Sequence, residues 1–211
     1  MQTAVDISGY MYTDPEPNAS HSYLMPALLK ELASLSLPPG QKRLFELDCG
    51  NGSVADVLTR QGFEITGIDA SAQGIEQAKR RYPYLNLQLG SAYDRLAETY
   101  GRFPVVVSLE VVEHIYAPRV FARTLFDLVE PSGTAIISTP YHGYWKNLAL
   151  ALTGRLDDHF TALWDHGHIK FWSIATLTQL LREAGFQAIT FRRVGRVPAL
   201  AKSMIAVARK P

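Results

Sequence analysis

The short apolar run Val105 to Leu109 lies inside a regular alternation of strand-like and helix-like segments, and that alternation limits the fold more than any other feature. Strands are expected at Leu44–Leu47, Glu64–Ile68, Leu85–Leu89, Val105–Leu109 and Thr134–Ser138. Helical patterns separate them at Val54–Gln61, Gln73–Arg81 and Arg119–Leu128. An apolar run of this kind suits a parallel strand covered on both faces, and a βαβα rhythm gives an α/β, doubly wound sheet. Gly62 stands where a helix C-cap belongs, and Pro131-Ser132-Gly133 turns the chain into the fifth strand. Two last strands, Gln187–Val194 and Ser203–Ala208, are joined by a loop too short for a crossover helix, so they pair antiparallel.

The 211 residues suit one domain with a filled core. Residues 1–40 read as an N-terminal arm and a helix from His21 to about Leu35, stopped by Pro38-Pro39-Gly40. Residues 141–172 break the rhythm. They hold all three tryptophans and four of the six histidines, and read as a cap inserted after the fifth strand. A helix from Ser173, as N-cap, to Ala184 follows, with Gly185 as its C-cap. A net charge of +1 supplies no global field for nucleic acid. The single Cys49 allows no internal disulfide, and no signal-like start is visible, so the expected compartment is the cytoplasm. The last twenty residues are basic, with Arg192, Arg193, Arg196, Lys202, Arg209 and Lys210 and no acid. They read as a solvated edge, with a surface facing anionic lipid or substrate as the sharper alternative.

Chemistry is expected at the carboxyl ends of the strands. The first strand runs into Glu46-Leu47-Asp48-Cys49-Gly50-Asn51-Gly52-Ser53. Glycine lets backbone approach a ligand, and a helix start offers unpaired N–H groups, so Gly50 and Gly52 are candidates for cofactor contact. Asp69 ends the second strand 19 residues after Gly50 (69 − 50). A carboxylate there can accept hydrogen bonds from ribose hydroxyls. Gly50-Asn51-Gly52-Ser53-Val54-Ala55 fits the dinucleotide pattern G-x-G-x-x-A, which by itself does not separate NAD from other nucleoside cofactors.

Together with Gly67-Ile68-Asp69-Ala70-Ser71, Ser108-Leu109-Glu110-Val111-Val112-Glu113-His114 and Pro131-Ser132-Gly133, the first loop resembles the class I S-adenosylmethionine (SAM) dependent methyltransferases, over roughly residues 40 to 211. The Glu-Val-Val-Glu-His stretch looks like the branch that includes the ubiquinone-biosynthesis O-methyltransferases. The resemblance implies a Rossmann-like sheet of seven strands, mostly parallel, with a C-terminal antiparallel hairpin. It implies SAM as cofactor, bound by Glu46, Gly50, Gly52, Asp69, Ala70, Ser91, Ala92 and Leu109, with Tyr23 and the arm closing over it. Asp48 departs from the family's usual glycine; it either pairs with the SAM amino group or obstructs binding. Pro104 replaces a usual acid and is tolerated at a strand start.

For transfer to a small-molecule hydroxyl or phenol, a histidine base is the first choice. The candidates are His166 and His168, then His114. Glu110, Glu113 and His114 share a helical face if Glu110 opens a turn. In relatives of the ubiquinone branch this trio is associated with a divalent metal; structural anchoring of the loop is the preferred reading here. His142, His159, His166 and His168 match no zinc spacing and read as a polar lid. Leu148–Leu152, beside Lys146 and Arg155, is a lid helix, a dimer contact or a weak membrane-surface contact. Two further functions stay open: an NAD-type oxidoreductase, which does not explain the terminal hairpin, and a non-catalytic binding or regulatory domain, for which Asp48 speaks.

Overall fold

The computed structural model describes residues 19–211 apart from 36, 39, 161, 165 and 166. Helix α1 (His21–Ser34) leads into strand β1 (Arg43–Leu47), α2 (Ser53–Arg60), β2 (Glu64–Asp69), α3 (Ala72–Arg81) and β3 (Asn86–Leu89). A short α4 (Leu96–Tyr100) precedes β4 (Phe103–Leu109), α5 (Pro118–Leu128) and β5 (Val129–Pro140). Then come α6 (Tyr144–Leu152), α7 (Leu156–Phe160), α8 (Ile174–Ala184), β6 (Gln187–Val194), a 3-10 turn at Pro198–Leu200 and β7 (Ser203–Arg209). The seven strands form one sheet in the order β3-β2-β1-β4-β5-β7-β6. The pairs from β3 through β5 are parallel, and β7 runs antiparallel to both β5 and β6.

Strand alternation explains the two cores. Leu44, Val105, Val107, Ile136 and Ile205 point to one face and pack with Leu24, Leu28, Leu58 and Ile75 of the first three helices. Phe45, Leu47, Val106, Ile137 and Met204 point to the other and pack with Phe121, Leu125, Leu177 and Leu181 of α5 and α8. Phe103 to Ser108 of β4 are all buried, and each valine fully removed from water stabilises by about 1.5–3 kcal/mol.

The expected caps hold. Gly62, at φ 85°, follows α2, and its N–H donates to the Thr59 carbonyl. Ser173 and Thr176 form a reciprocal capping box at α8, and Gly185 closes that helix at φ 111°. Helix α4 lies in a stretch where periodicity predicts nothing; five residues are too few to carry a helical repeat. Strand β5 is longer than expected. It begins beside Phe103 at Val129, and a register shift absorbs the turn at Pro131-Ser132-Gly133 before Thr134 pairs with Val105.

The cap is also less separate than its composition implies. Tyr141, His142 and Trp172 at its two ends are buried. The His142 N–H donates to the Trp172 carbonyl, and the Trp172 indole N–H to the Val112 carbonyl at 3.1 Å. Between these ends, α6 buries none of its residues. Among the described residues, no helix is long and apolar enough to cross a membrane.

Candidate active site

The sheet reverses its winding between β1 and β4, and a cleft opens where these two strands end. Its volume is about 560 Å³. Each strand hands over through a residue forced to positive φ: Asp48 (60°) after β1 and Glu110 (55°) after β4. A left-handed conformation costs an ordinary L-residue about 1–2 kcal/mol. Two such residues flanking one cleft mark strain held at a site.

In the β1 loop, the Gly50 N–H donates to Asp69 Oδ2 and the Ser71 N–H to Asp69 Oδ1, both at 2.7 Å. Asp69 thus fixes the loop. The N-cap of α3 is Ser71, which accepts from the Gly74 N–H, so Asp69 is not occupied as a cap. Asn51 Oδ1 accepts from the Ser53 N–H at 3.2 Å, at the start of α2.

Glu46, Asp48, Asp69, Ala70, Gly50, Ser91, Ala92 and Leu109 all line the cleft, as expected. Gly52 and Tyr23 are not among the described residues that line it. A Cβ on Gly52 would meet Leu87 Cδ1 at 2.8 Å and Ala78 Cβ at 3.1 Å, so this glycine serves helix–sheet packing and its φ of 77°. Tyr23 lines a neighbouring cavity, with its hydroxyl 3.3 Å from Ser203 Oγ. His21, Tyr93, Val111, Ile115 and Trp164 also line the cleft. No motif spacing marks them, because they come from four separate segments that only the fold assembles.

Charge is divided sharply here. The cleft is lined by the carboxyl groups of Glu46, Asp48, Asp69, Glu110 and Glu113, with no lysine or arginine among the described residues lining it. Glu46 Oε2 and Asp48 Oδ2 are buried without a hydrogen-bond partner among the described residues. Burial pushes both carboxyls well above the usual range, and the Asp69 charge adds to this. Burial likewise holds the Cys49 thiol neutral. A cationic ligand would relieve the repulsion among these carboxyl groups.

At the far wall, the Ile169 and Lys170 N–H groups both donate to the Glu113 carbonyl at 2.9 Å, which brings the returning cap onto the β4–α5 loop. This sets His168 against His114, with ring centroids 4.9 Å apart. His114 Nδ1 lies 3.2 Å from the Gly167 carbonyl. Donor atoms of Glu113, His114 and His168 all lie within 4.8 Å of one another, a set able to hold a metal ion. The expected trio therefore changes membership. Glu110 is held by Ser138 Oγ (2.8 Å) and Ser203 Oγ (3.1 Å), with its carboxyl pushed up to about 7 by burial. His168, distant in sequence, takes the third place. Burial and the Glu110 charge push the Glu113 carboxyl well up. His166 lies outside the described residues.

A second cavity of about 490 Å³ adjoins the first, and Glu110 and His168 line both.

A family profile described as a methyltransferase domain matches residues 19–190. The chain belongs to the class I SAM-dependent methyltransferases. It is 38% identical over 116 residues to a ubiquinone biosynthesis O-methyltransferase of a Caulobacter species, covering 53% of this chain and 46% of that protein. It is 30% identical over 156 residues to the Psychrobacter arcticus protein of the same name, covering 69% and 59%. The chain spans about half the length of the curated relatives it matches. Among solved structures, the PH0226 protein of Pyrococcus horikoshii superposes with a TM-score of 0.71 at 18% identity, over 95% of each chain. The Synechocystis magnesium protoporphyrin IX methyltransferase, solved with bound SAH, gives 0.63 at 17% identity, over 89% of this chain and 82% of that one. These likenesses confirm the fold of this methyltransferase. SAM is its cofactor, and the acidic cleft, in which Glu46 Oε2 and Asp48 Oδ2 are buried without a hydrogen-bond partner among the described residues, suits a sulfonium that carries an ammonium and a ribose.

Proposed function

We propose that this methyltransferase moves the SAM methyl group to a hydroxyl oxygen of a small organic acceptor, with His168 as the base. The observation that carries the reading is that His168 lines both cavities. A proton acceptor at that shared wall reaches an acceptor hydroxyl in one cavity and faces the cofactor in the other. The O-methyltransferase names of the curated relatives point to the same atom type.

Asp69 would take the ribose hydroxyls, Asp48 and the Gly50 backbone the methionine end, and Ser91 and Ala92 the adenine side. Bound SAM would supply an electrophilic methyl for the acceptor oxygen. His168 takes the hydroxyl proton, and the edge-on ring of His114 holds the His168 imidazole in place. Alignment of the reacting atoms supplies most of the acceleration, and a placed base adds about 10²–10⁴-fold.

One observation favours a second reading of the same wall. The grouped donors of Glu113, His114 and His168 would let a divalent cation hold the acceptor oxygen and lower its pKa.

The test is calorimetric titration with SAM and S-adenosylhomocysteine, followed by a radiolabelled methyl screen over phenols, alcohols and amines. Binding of both nucleosides with label appearing on oxygen is the expected result. Label on nitrogen or carbon alone overturns the oxygen assignment, and failure of both nucleosides to bind overturns the whole reading. Repeating the assay with a chelator separates the base from the cation.

A further inference from the structure

The second cavity has the opposite charge character to the cofactor cleft. Lys146, Arg155, Arg196 and Lys202 line it, against the single carboxyl of Glu110. Its remaining walls are largely apolar, including Ala149 and Leu150 of α6 and Leu200 of the 3-10 turn. A volume of about 490 Å³ is within the range of small-ligand pockets.

The cations are crowded. Burial, and after it the Arg196 charge, brings the Lys146 amine down to about 8. The Lys146 ammonium also donates to the Tyr141 carbonyl at 2.9 Å, which fixes its position. Lys202 Nζ stands 5.2 Å from the centre of the Tyr23 ring. Arg196 offers a planar guanidinium fork that matches an oxyanion. Mutual repulsion in a semi-enclosed cavity is relieved by an anion, and guanidinium and ammonium groups match a ligand oxyanion.

We propose that the acceptor is an organic anion: a hydroxylated acid with an apolar body, whose carboxylate or equivalent oxyanion sits on Arg196 and Lys202 while its hydroxyl reaches His168. This rests on the methyl-transfer reading for the position of the hydroxyl. The anion subsite itself is read from the cavity lining. The basic C-terminal segment thus finds a specific use. Arg192 is paired with Glu31, and the Lys210 ammonium donates to the Phe126 and Val129 carbonyls, whereas Arg196 and Lys202 open into the cavity.

The test uses the full chain and three fluorescent naphthols: 6-hydroxy-2-naphthoate, 6-hydroxynaphthalene-2-sulfonate and the neutral 6-hydroxy-2-naphthamide. Each is titrated with and without S-adenosylhomocysteine. Both anions are expected to bind about tenfold or more tightly than the amide, as charge-assisted contacts require, with a preference that shrinks as salt rises. The Arg196→Gln/Lys202→Gln double variant is expected to erase the preference, leaving S-adenosylhomocysteine affinity and melting temperature unchanged. Equal binding of acid and amide by the wild type overturns the proposal, as does a preference that survives the double variant. So does a double variant that loses S-adenosylhomocysteine affinity, because the cations would then serve the cofactor's own carboxylate. These titrations need no turnover. Absence of methyl transfer to any acceptor would count against the methyl-transfer reading and leave the anion subsite to stand or fall on binding.

Discussion

Replacing Asp48 by asparagine tests the electrostatic logic of the cofactor cleft. The side chain keeps its shape, and asparagine tolerates the left-handed φ of 60° that this position imposes. Only the charge is removed. In the free protein the carboxyl is disfavoured by burial and by Asp69, with Oδ2 unpartnered. An acid weakened by the fold costs stability when it must ionise, so the variant should be more stable than the wild type near pH 8. The sign follows from the raised pKa. Wild-type stability is fully present below the ordinary value of 3.8 and falls as pH rises through the folded value. The stability gap should therefore be small at pH 4 and widen upward.

Binding should move the other way. A carboxylate about 5 Å from an ammonium, at an effective dielectric of about 20, is worth about 3 kcal/mol, and the amide oxygen retains part of that. SAM and S-adenosylhomocysteine, which share the ammonium, should each lose about tenfold to a hundredfold in affinity. Wild-type binding should also release a proton, detectable by calorimetry in buffers of different ionisation enthalpy, and this release should shrink in the variant. Unchanged or tighter binding by Asp48→Asn would refute the pairing and make Asp48 an obstruction. Asp48→Gly would then tighten binding.

His168→Ala should lower kcat about 10²–10⁴-fold with S-adenosylhomocysteine affinity within about threefold; equal turnover removes it as the base, and chelator-sensitive activity in the wild type assigns it to a cation. Gly52→Ala should destabilise by about 2–3 kcal/mol in denaturant titration, because its Cβ meets Leu87 and Ala78 and its φ is 77°. A normal midpoint would show that neither the clash nor the φ matters. His21, held down to about 4 by burial, keeps its neutral form in the fold. Its contribution is constant above pH 6.5, and stability should fall by up to about 3 kcal/mol as pH drops from 6.5 toward 4. Thermal melts of His21→Gln should show a flatter acid limb, and an unchanged limb would locate the loss elsewhere.

The sequence by itself determined the sheet, its terminal antiparallel strands and most of the cofactor cleft. These features rest on local signals: two-residue alternation, glycine and serine caps at Gly62, Ser173 and Gly185, and short loops at strand ends that place Glu46, Gly50 and Asp69 together in any doubly wound sheet. Tertiary structure decided what depends on distant segments. It packed Leu87 of β3 and Ala78 of α3 against Gly52, so that this position has no room for a Cβ. It exchanged Glu110 for His168 in the metal-capable group, because backbone N–H groups of the returning cap bind the Glu113 carbonyl. It also gathered Lys146 of α6 and Arg196 and Lys202 of the β6–β7 connection around one cavity, at a spacing that carries no period. Period and capping are properties of neighbours in the chain. Opposed charge in two adjoining cavities depends on which ends of the sheet and cap the packed cores bring together.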